Sequence, residues 1–461
     1  MPIAAIQRGT LPIPICTSLL TGSSGGLALR MQQISMRLRK MSPAIRLHLV
    51  PAQRQKGVGL RRESRACHGC LGREAVCMIK PVMQKQKNIV LLGSGGSLGS
   101  AVLGMAKAFP DRINVVGLAA RRDLRTLAEQ IREFRPAMVA HGNGYELPHG
   151  EGLGSAKAAT VEEIVSGEDV DTVVVASTGA RALDSILRAI RHGKTVVLGN
   201  KEAVIMAGPL LTYEAAQHDA KLIPMDSETT AVWQCMMEEA EPPNRLIIPS
   251  RFGPVLAGEL GHMARISPET FTTRERRPLG RKRAIDASTL MNKAMQVAEV
   301  HYLFNIPLDR IAVLFHPQDR IRALLELRDG TMKAVMAHSD PRVVIQVALA
   351  FPERWENADL PGLTAADLTE LAFLPLEEDQ FPCFSLALDA VKKGGTYPAA
   401  LNAANETAVS LFLYQQIGFQ EIPRVIERTL ATHRPVFDPT YDAIIAADKW
   451  AREFASAQTA S

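Results

Sequence analysis

Two groups of residues in this 461-residue chain are spaced for chemistry. Asp226-Ser227-Glu228 follows Lys221-Leu222-Ile223-Pro224-Met225, an apolar run that reads as a β-strand. Side chains i and i+2 of an extended segment face the same way, so two carboxylates are expected side by side. With no His or Cys beside them, such a pair suits a hard cation, Mg2+ or Mn2+; the same triplet is also common on solvated surfaces. The second group is Gly93-Ser94-Gly95-Gly96-Ser97-Leu98-Gly99, preceded by the β run Asn88-Ile89-Val90-Leu91-Leu92 and followed by a helical stretch from Ala101 to Ala108. A strand, a glycine turn and a helix start in that order turn free N–H groups towards a phosphate.

These groups need a scaffold, and the rest of the chain supplies one. A second strand, Ile113 to Ala119, ends at Arg121-Arg122, where a dinucleotide fold places an acid for a ribose hydroxyl or an arginine for a 2′-phosphate. The arginines favour NADP; Asp123 beside them and a merely solvated strand end are the competing readings. Further βα units follow: Thr172 to Ala176, a helix around Ala182 to Ile190, and Thr195 to Leu198 entering Gly199-Asn200-Lys201-Glu202. Alternating strands and helices imply a parallel sheet, with Asn200, Lys201 and Glu202 beyond its carboxyl edge. Strands are expected near Arg245 to Ile248, Ile311 to Phe315 and Met332 to Met336, and a basic stretch, Arg274 to Arg283, lies between the first two. That stretch reads either as a cover for an anionic substrate or as a solvated loop. Helical periodicity returns in Ala399 to Leu413 and Ile422 to Leu430.

Composition is that of an average globular enzyme, with 46% apolar and 22% charged residues. No apolar run approaches the roughly 20 residues that span a bilayer, so a soluble protein is expected. Residues 1–87 carry 15 Lys and Arg against Glu63 and Glu74, a net of +13; the remainder carries 38 basic and 46 acidic groups, a net of −8. This leader reads as translation upstream of the true start (Met78 or Met83), as a transit segment, or as a basic arm. Cys67-His68-Gly69-Cys70 opens like a zinc site but has no second ligand pair, and chance spacing is the commoner explanation. Cys235 and Cys383 stand alone, which suits a reducing compartment.

The segments Gly93 to Gly99, Gly199-Asn200-Lys201-Glu202, Asp226-Ser227-Glu228, Met291-Asn292-Lys293, His316-Pro317-Gln318 and Leu401-Asn402-Ala403-Ala404-Asn405-Glu406 resemble, in order, the 1-deoxy-D-xylulose 5-phosphate reductoisomerase family of the non-mevalonate isoprenoid pathway. The resemblance covers nearly all of residues 88–435. It implies an α/β protein: a leader (1–87), an N-terminal NADP-binding Rossmann-like domain (88–236), a central α+β catalytic domain (237–356), a linker (357–382) and a C-terminal helical bundle (383–461). It also implies a homodimer acting on a small phosphorylated sugar with NADPH and Mn2+ or Mg2+, with no nucleic-acid or membrane partner. The compartment is then cytoplasmic, or an organelle such as a plastid if the leader is a transit peptide. Residue by residue, Gly93, Ser94, Gly95, Gly96, Ser97, Leu98, Arg122, Asn200 and Glu202 would hold cofactor. Lys201, Asp226 and Glu228 would be catalytic, with Asp226, Glu228 and Gln296 on the metal. Ser227, Arg251, Ser288, Asn292 and Lys293 would meet the substrate.

The chain departs from the family pattern where chemistry is expected. Gln296 stands at a metal-binding Glu, Arg251 and Phe252 replace the start of a Ser-Gly-Gly-Pro phosphate loop, and Ala287 replaces a phosphate-contacting Ser, with Ser288 beside it. Arg274, Arg277 and Leu279 replace the His, Trp and Met of the flap. A carboxylate-to-amide exchange weakens cation binding unless Glu275 or Glu299 compensates; Glu299 lies one helical turn from Gln296 on the same face. Three outcomes fit: a working reductoisomerase, a family member with another anionic substrate, or a catalytically silent binding protein.

Overall fold

The computed structural model describes residues 86–121, 123–142, 154–251, 266–273 and 280–458. The leader up to residue 85, Arg122, Phe252, and the flap positions Arg274, Glu275, Arg277 and Leu279 lie outside these residues. Among the described residues no helix is long and apolar enough to cross a membrane.

Strands buried on both faces must be apolar throughout, and Val173, Val174, Val175, Val196 and Val197 are all fully buried. They belong to a seven-stranded sheet of β1 (Lys87–Leu92), β2 (Ile113–Ala120), β3 (Met138–His141), β4 (Lys157–Ala158), β5 (Thr172–Val175), β6 (Thr195–Leu198) and β7 (Lys221–Pro224). Every neighbour is parallel, in the order β4-β3-β2-β1-β5-β6-β7. The chain builds outwards from β1 and then returns to its other side at β5. Such a reversal opens a crevice beyond the carboxyl ends of the strands. Crossovers run through α1 (Ser97–Ala108), α2 (Leu124–Phe134), α3 (Val161–Ser166), α4 (Ala182–Arg191) and α5 (Lys201–Gln217).

A mixed second sheet follows, in the order β11-β10-β8-β9-β12, with only β8 and β9 parallel. Its strands are β8 (Arg245–Ser250), β9 (Ile311–Phe315), β10 (Ile321–Glu326), β11 (Met332–Met336) and β12 (Leu374–Pro375). The helices of this region are α6 (Ser227–Met236), α7 (Thr270–Thr273), α8 (Arg281–Ser288), α9 (Met291–Phe304) and α10 (Pro341–Ala350), and the last returns to the first sheet through Ile345, Ala348 and Leu349. One expectation is corrected here and one strand is new. The segment 357–382 is more than a linker, because Leu374 and Pro375 pair with Phe315 and Leu314 and close one edge of the sheet. Strand β10 escaped the sequence pattern because a buried Arg322 interrupts its apolar run.

The C-terminal region is four packed helices: α11 (Pro382–Lys393), α12 (Tyr397–Leu413), α13 (Glu421–Thr432) and α14 (Tyr441–Ala457). Helix α12 is the central one, and its fully buried Asn405 donates to Asp286 of α8 at 3.0 Å. Asn405 thereby ties α12 to α8, while Asn402 Nδ2 points to Met206 Sδ of α5 at 3.5 Å.

Helices α5 and α9 carry most of the site, and their approach depends on Gly208. A Cβ there would lie 2.5 Å from the Tyr302 ring, closer than real contacts allow. Gly208→Ala should cost roughly 1–3 kcal/mol through overpacking and lower turnover by displacing α9; denaturant melts and steady-state rates of the purified variant check both.

Candidate active site

The glycine turn follows β1 at the sheet reversal. Helix α1 has no side-chain cap and no acid in its first turn, so its leading N–H groups remain for an anion. Gly99 closes the turn; a Cβ there would meet Gly93 O at 2.2 Å. Ser94 is fully buried, its carbonyl accepts from Gln130 Nε2 at 2.9 Å, and its Oγ is buried without a partner. Asp123 caps α2, accepting from Thr126 N at 3.0 Å. Its other oxygen accepts from Thr126 Oγ1 at 2.6 Å, so both carboxylate oxygens are engaged within its own helix.

Asn200, at the end of β6, is also fully buried. Its Nδ2 donates to Ser177 O at 2.7 Å and Gly179 O at 3.1 Å, and its Oδ1 caps α5 through Ala203 N at 2.8 Å. The side chain ties β5 to α5 and so sets the position of the next residues, Lys201 and the partly buried Glu202.

The two carboxylates converge, but by another geometry than strand alternation. The strand stops at Pro224; Asp226 is the N-cap of α6 and Glu228 sits in its first turn. Gln296 on α9 bridges them, its Nε2 donating to Asp226 Oδ1 at 2.5 Å and to Glu228 Oε2 at 2.6 Å. Gln296 Oε1 is buried without a partner, an acceptor to spare. Lys201 Nζ lies 2.6 Å from Asp226 Oδ2 and donates to Asn292 Oδ1 at 3.0 Å. Burial alone would depress the Lys201 ammonium, but Asp226, Glu299 and Glu228 together outweigh it and hold it above the ordinary range. The Asp226 carboxyl is disfavoured by burial, yet Lys201, then Lys293 and Gln296, hold it below the usual value. The pair is a charged, half-buried Lys–Asp couple.

Glu299, fully buried one turn along α9, accepts from Thr229 Oγ1 at 2.6 Å. Burial, reinforced by Asp226 and opposed by Lys201, pushes its carboxyl up to about 8. A carboxyl raised in the folded state supports folding fully below its ordinary 4.5, and that support is lost as pH rises through about 8. Glu299→Gln keeps an acceptor for Thr229 without titrating. The variant should therefore lose less melting temperature between about pH 6 and about pH 9 than the parent, a difference of several degrees by calorimetry.

The residues expected to meet substrate are spread along α6, β8, α8 and α9. Ser227 donates to Glu228 Oε2. Ser288 is buried with no partner for its Oγ, and Arg251 is exposed beyond β8. Lys293, buried, donates to Pro249 O at 2.8 Å and lies 3.4 Å from Glu228 Oε1; burial depresses its ammonium although Glu228 and Asp226 pull the other way. Sequence reasoning missed Arg322, whose guanidinium reaches within 3.9 Å of Glu228 Oε1 from β10. The signal was a single Arg inside an otherwise apolar strand. Among the described residues no three His, Cys, Asp or Glu side chains converge on one point. An ion held here would draw on the Asp226 and Glu228 carboxylates, donors that suit Mg2+ or Mn2+; Gln296 turns its amide nitrogen to both, so its oxygen would join only after the amide flips.

The chain is similar to known proteins along most of its length. Three family models match: 1-deoxy-D-xylulose 5-phosphate reductoisomerase over residues 89–208, its C-terminal domain over 222–304, and the DXP reductoisomerase C-terminal domain over 336–454. The chain is 38% identical over 387 residues to 1-deoxy-D-xylulose 5-phosphate reductoisomerase of Prosthecochloris aestuarii, covering 81% of this chain and 100% of that one. It is 39% identical over 378 residues to the enzyme of the same name from Thermomicrobium roseum, covering 80% and 96%. Among solved structures, the Zymomonas mobilis enzyme in complex with NADPH superposes with a TM-score of 0.76 at 32% identity, covering 82% of this chain and all of that one. A DOX-P reductoisomerase in complex with NADPH, fosmidomycin and magnesium gives 0.75 at 28% identity, covering 81% and 98%.

Proposed function

The chain belongs to the 1-deoxy-D-xylulose 5-phosphate reductoisomerase family, and from that premise we propose the parts its own residues play. It is an NADPH-dependent enzyme that rearranges and reduces 1-deoxy-D-xylulose 5-phosphate to 2-C-methyl-D-erythritol 4-phosphate. When bound, the divalent ion supplies Lewis acidity at the substrate's ketone and neighbouring hydroxyl, and the nicotinamide supplies the hydride.

Around those groups the chain binds and orients. The N–H groups of the turn from Gly93 to Leu98 receive the cofactor's phosphates, Arg122 its 2′-phosphate, and Glu202 borders its nicotinamide end. Asp226 and Glu228 hold the ion, and Gln296 Oε1 joins them once the amide, which now turns its nitrogen to both, flips. Lys201, fixed between Asp226 and Asn292, stays protonated and donates to a substrate oxygen. Ser227, Ser288, Asn292, Lys293 and Arg251 receive the rest of the substrate. The observation that carries this reading is one amide donating to both carboxylates at once, which brings their oxygens together about a single point.

Purified protein given NADPH, Mn2+ and 1-deoxy-D-xylulose 5-phosphate should lose nicotinamide absorbance only when the sugar is added. Cofactor uptake without turnover would overturn the assignment. The same preparation, examined by sedimentation, tests the homodimer that belongs to this reading.

A further inference from the structure

One face of the seven-stranded sheet turns polar at the amino ends of its strands. Val174, Val197 and Ile223 lie in the core on the side of α1 and α10. Two residues earlier, on the same face, one rung across β5, β6 and β7 reads Thr172, Thr195 and Lys221, each in register with the next. These side chains line a cavity of about 380 Å3, within the range of small-molecule sites. Val197 and Ile223 form its floor, and Leu349, Phe351 and Pro352, at and beyond the end of α10, form its roof. The glycine turn and the carboxylates gather at the opposite, carboxyl edge of the sheet.

Charge around the cavity leans one way. Lys87 donates to Leu349 O at 2.7 Å and to Phe351 O at 2.5 Å. Its ammonium is held below the ordinary range, first by burial, with Glu353 and Asp171 opposing and Lys221 adding repulsion. Both acids are engaged already: Asp171 accepts from Asn88 N at 2.9 Å, and Glu353 accepts from Trp355 Nε1 at 2.9 Å and pairs with Arg112 at 3.2 Å. Lys221 is exposed and makes no salt bridge among the described residues, where neither threonine hydroxyl makes a hydrogen bond. Two mutually repelling cations therefore flank the strands that carry two available hydroxyl donors.

We propose that this cavity binds a small carboxylate with a hydrocarbon body, a ligand separate from substrate and cofactor. The head group meets Lys221 and the hydroxyls of Thr172 and Thr195, a charge-assisted set of donors. The hydrocarbon lies between the sheet floor and the roof beyond α10, where apolar surface leaves water on both sides. A negative charge there relieves the repulsion between Lys87 and Lys221, which gives the cavity its preference for an anion. Phe351 packs on Trp233 of α6 with ring centroids 4.7 Å apart, so a ligand under Phe351 should alter the indole emission.

Octanoate is the probe, titrated calorimetrically into the NADPH-loaded full chain. It should bind with a Kd below about 1 mM and shift the tryptophan emission. Octanol, which keeps the body without the charge, and acetate, which keeps the charge without the body, should each bind at least tenfold more weakly. Lys221→Glu, an exposed change at the amino end of β7, should weaken octanoate at least tenfold and leave NADPH affinity and turnover unchanged. Thr195→Phe fills the cavity from its floor and should abolish binding; if that variant does not fold, Thr195→Val, which removes only the hydroxyl, should weaken it several-fold. Octanoate affinity unchanged in Lys221→Glu, or matched by octanol or acetate, would overturn the proposal. Octanoate that competes with NADPH or with substrate would also overturn it, because the ligand would then sit in the active site.

Discussion

Gln296→Glu should tighten Mn2+ binding by about ten- to a hundredfold and, at the same time, lower the melting temperature of the metal-free protein by several degrees. Both effects come from the same contacts. The Gln296 amide now donates to Asp226 and Glu228, so a carboxylate in its place removes two hydrogen bonds and sets a third negative charge against two others. Without an ion that repulsion is offset only in part by Lys201 and Lys293. With an ion present the added charge becomes attraction. At an effective dielectric near 20, opposite unit charges ~4 Å apart gain ~4 kcal/mol, of which desolvation of the carboxylate removes a large share; a remainder of ~1.4–2.7 kcal/mol is the expected ten- to hundredfold. Manganese binding followed by electron paramagnetic resonance and calorimetric melts of the ion-free protein measure the two halves separately. Tighter binding with no loss of metal-free stability would mean that Gln296 does not bridge the carboxylates in solution.

The same residue illustrates what a sequence can reveal about this site. The strand, glycine turn and helix start near residue 93 were legible because each is local: an apolar run, a short stretch needing close backbone approach, and a helix that begins without a cap. The carboxylate pair was legible in type but not in geometry. Met225 continues the apolar pattern of the strand, whereas hydrogen bonding starts a helix at Ser227, so the carboxylates meet through an N-cap and a first helical turn. Arg322 was illegible for another reason. Its role depends on which strand neighbours β8, and pairing between Leu324 and Ile247 joins residues far apart in the chain. A lone arginine in an apolar run points equally to an edge strand or a loop until that pairing is known. The segment around Leu374 failed similarly, because its acids and prolines read as a linker while two of its residues complete a sheet. Local chemistry was readable; partnership across the fold was not.

Asp226→Asn should lower kcat/KM by about a thousandfold or more, equivalent to ~4 kcal/mol of lost transition-state stabilisation, while leaving NADPH affinity nearly intact. The substitution preserves volume, and an amide can still meet Gln296, so the fold has little reason to fail. What it removes is charge at the point where two functions join. Asp226 is the leading influence holding the half-buried Lys201 ammonium above its ordinary range; without it, burial acts against the charged form with only Glu299 and Glu228 in opposition. It is also one of the two carboxylates proposed to hold the ion, beside a neutral Gln296, so a single change halves the negative charge offered to a cation. Each loss alone would cost one or two orders of magnitude, and because Lys201 and the ion are proposed to act on the same substrate oxygens they should fail together. The glycine turn lies at the end of β1, whereas Asp226 lies beyond β7, three strands away, so cofactor binding measured by fluorescence serves as the internal control. A variant retaining a tenth of the parent's kcat/KM would show that the reaction does not pass through this carboxylate, and the assignment of Lys201 would fall with it.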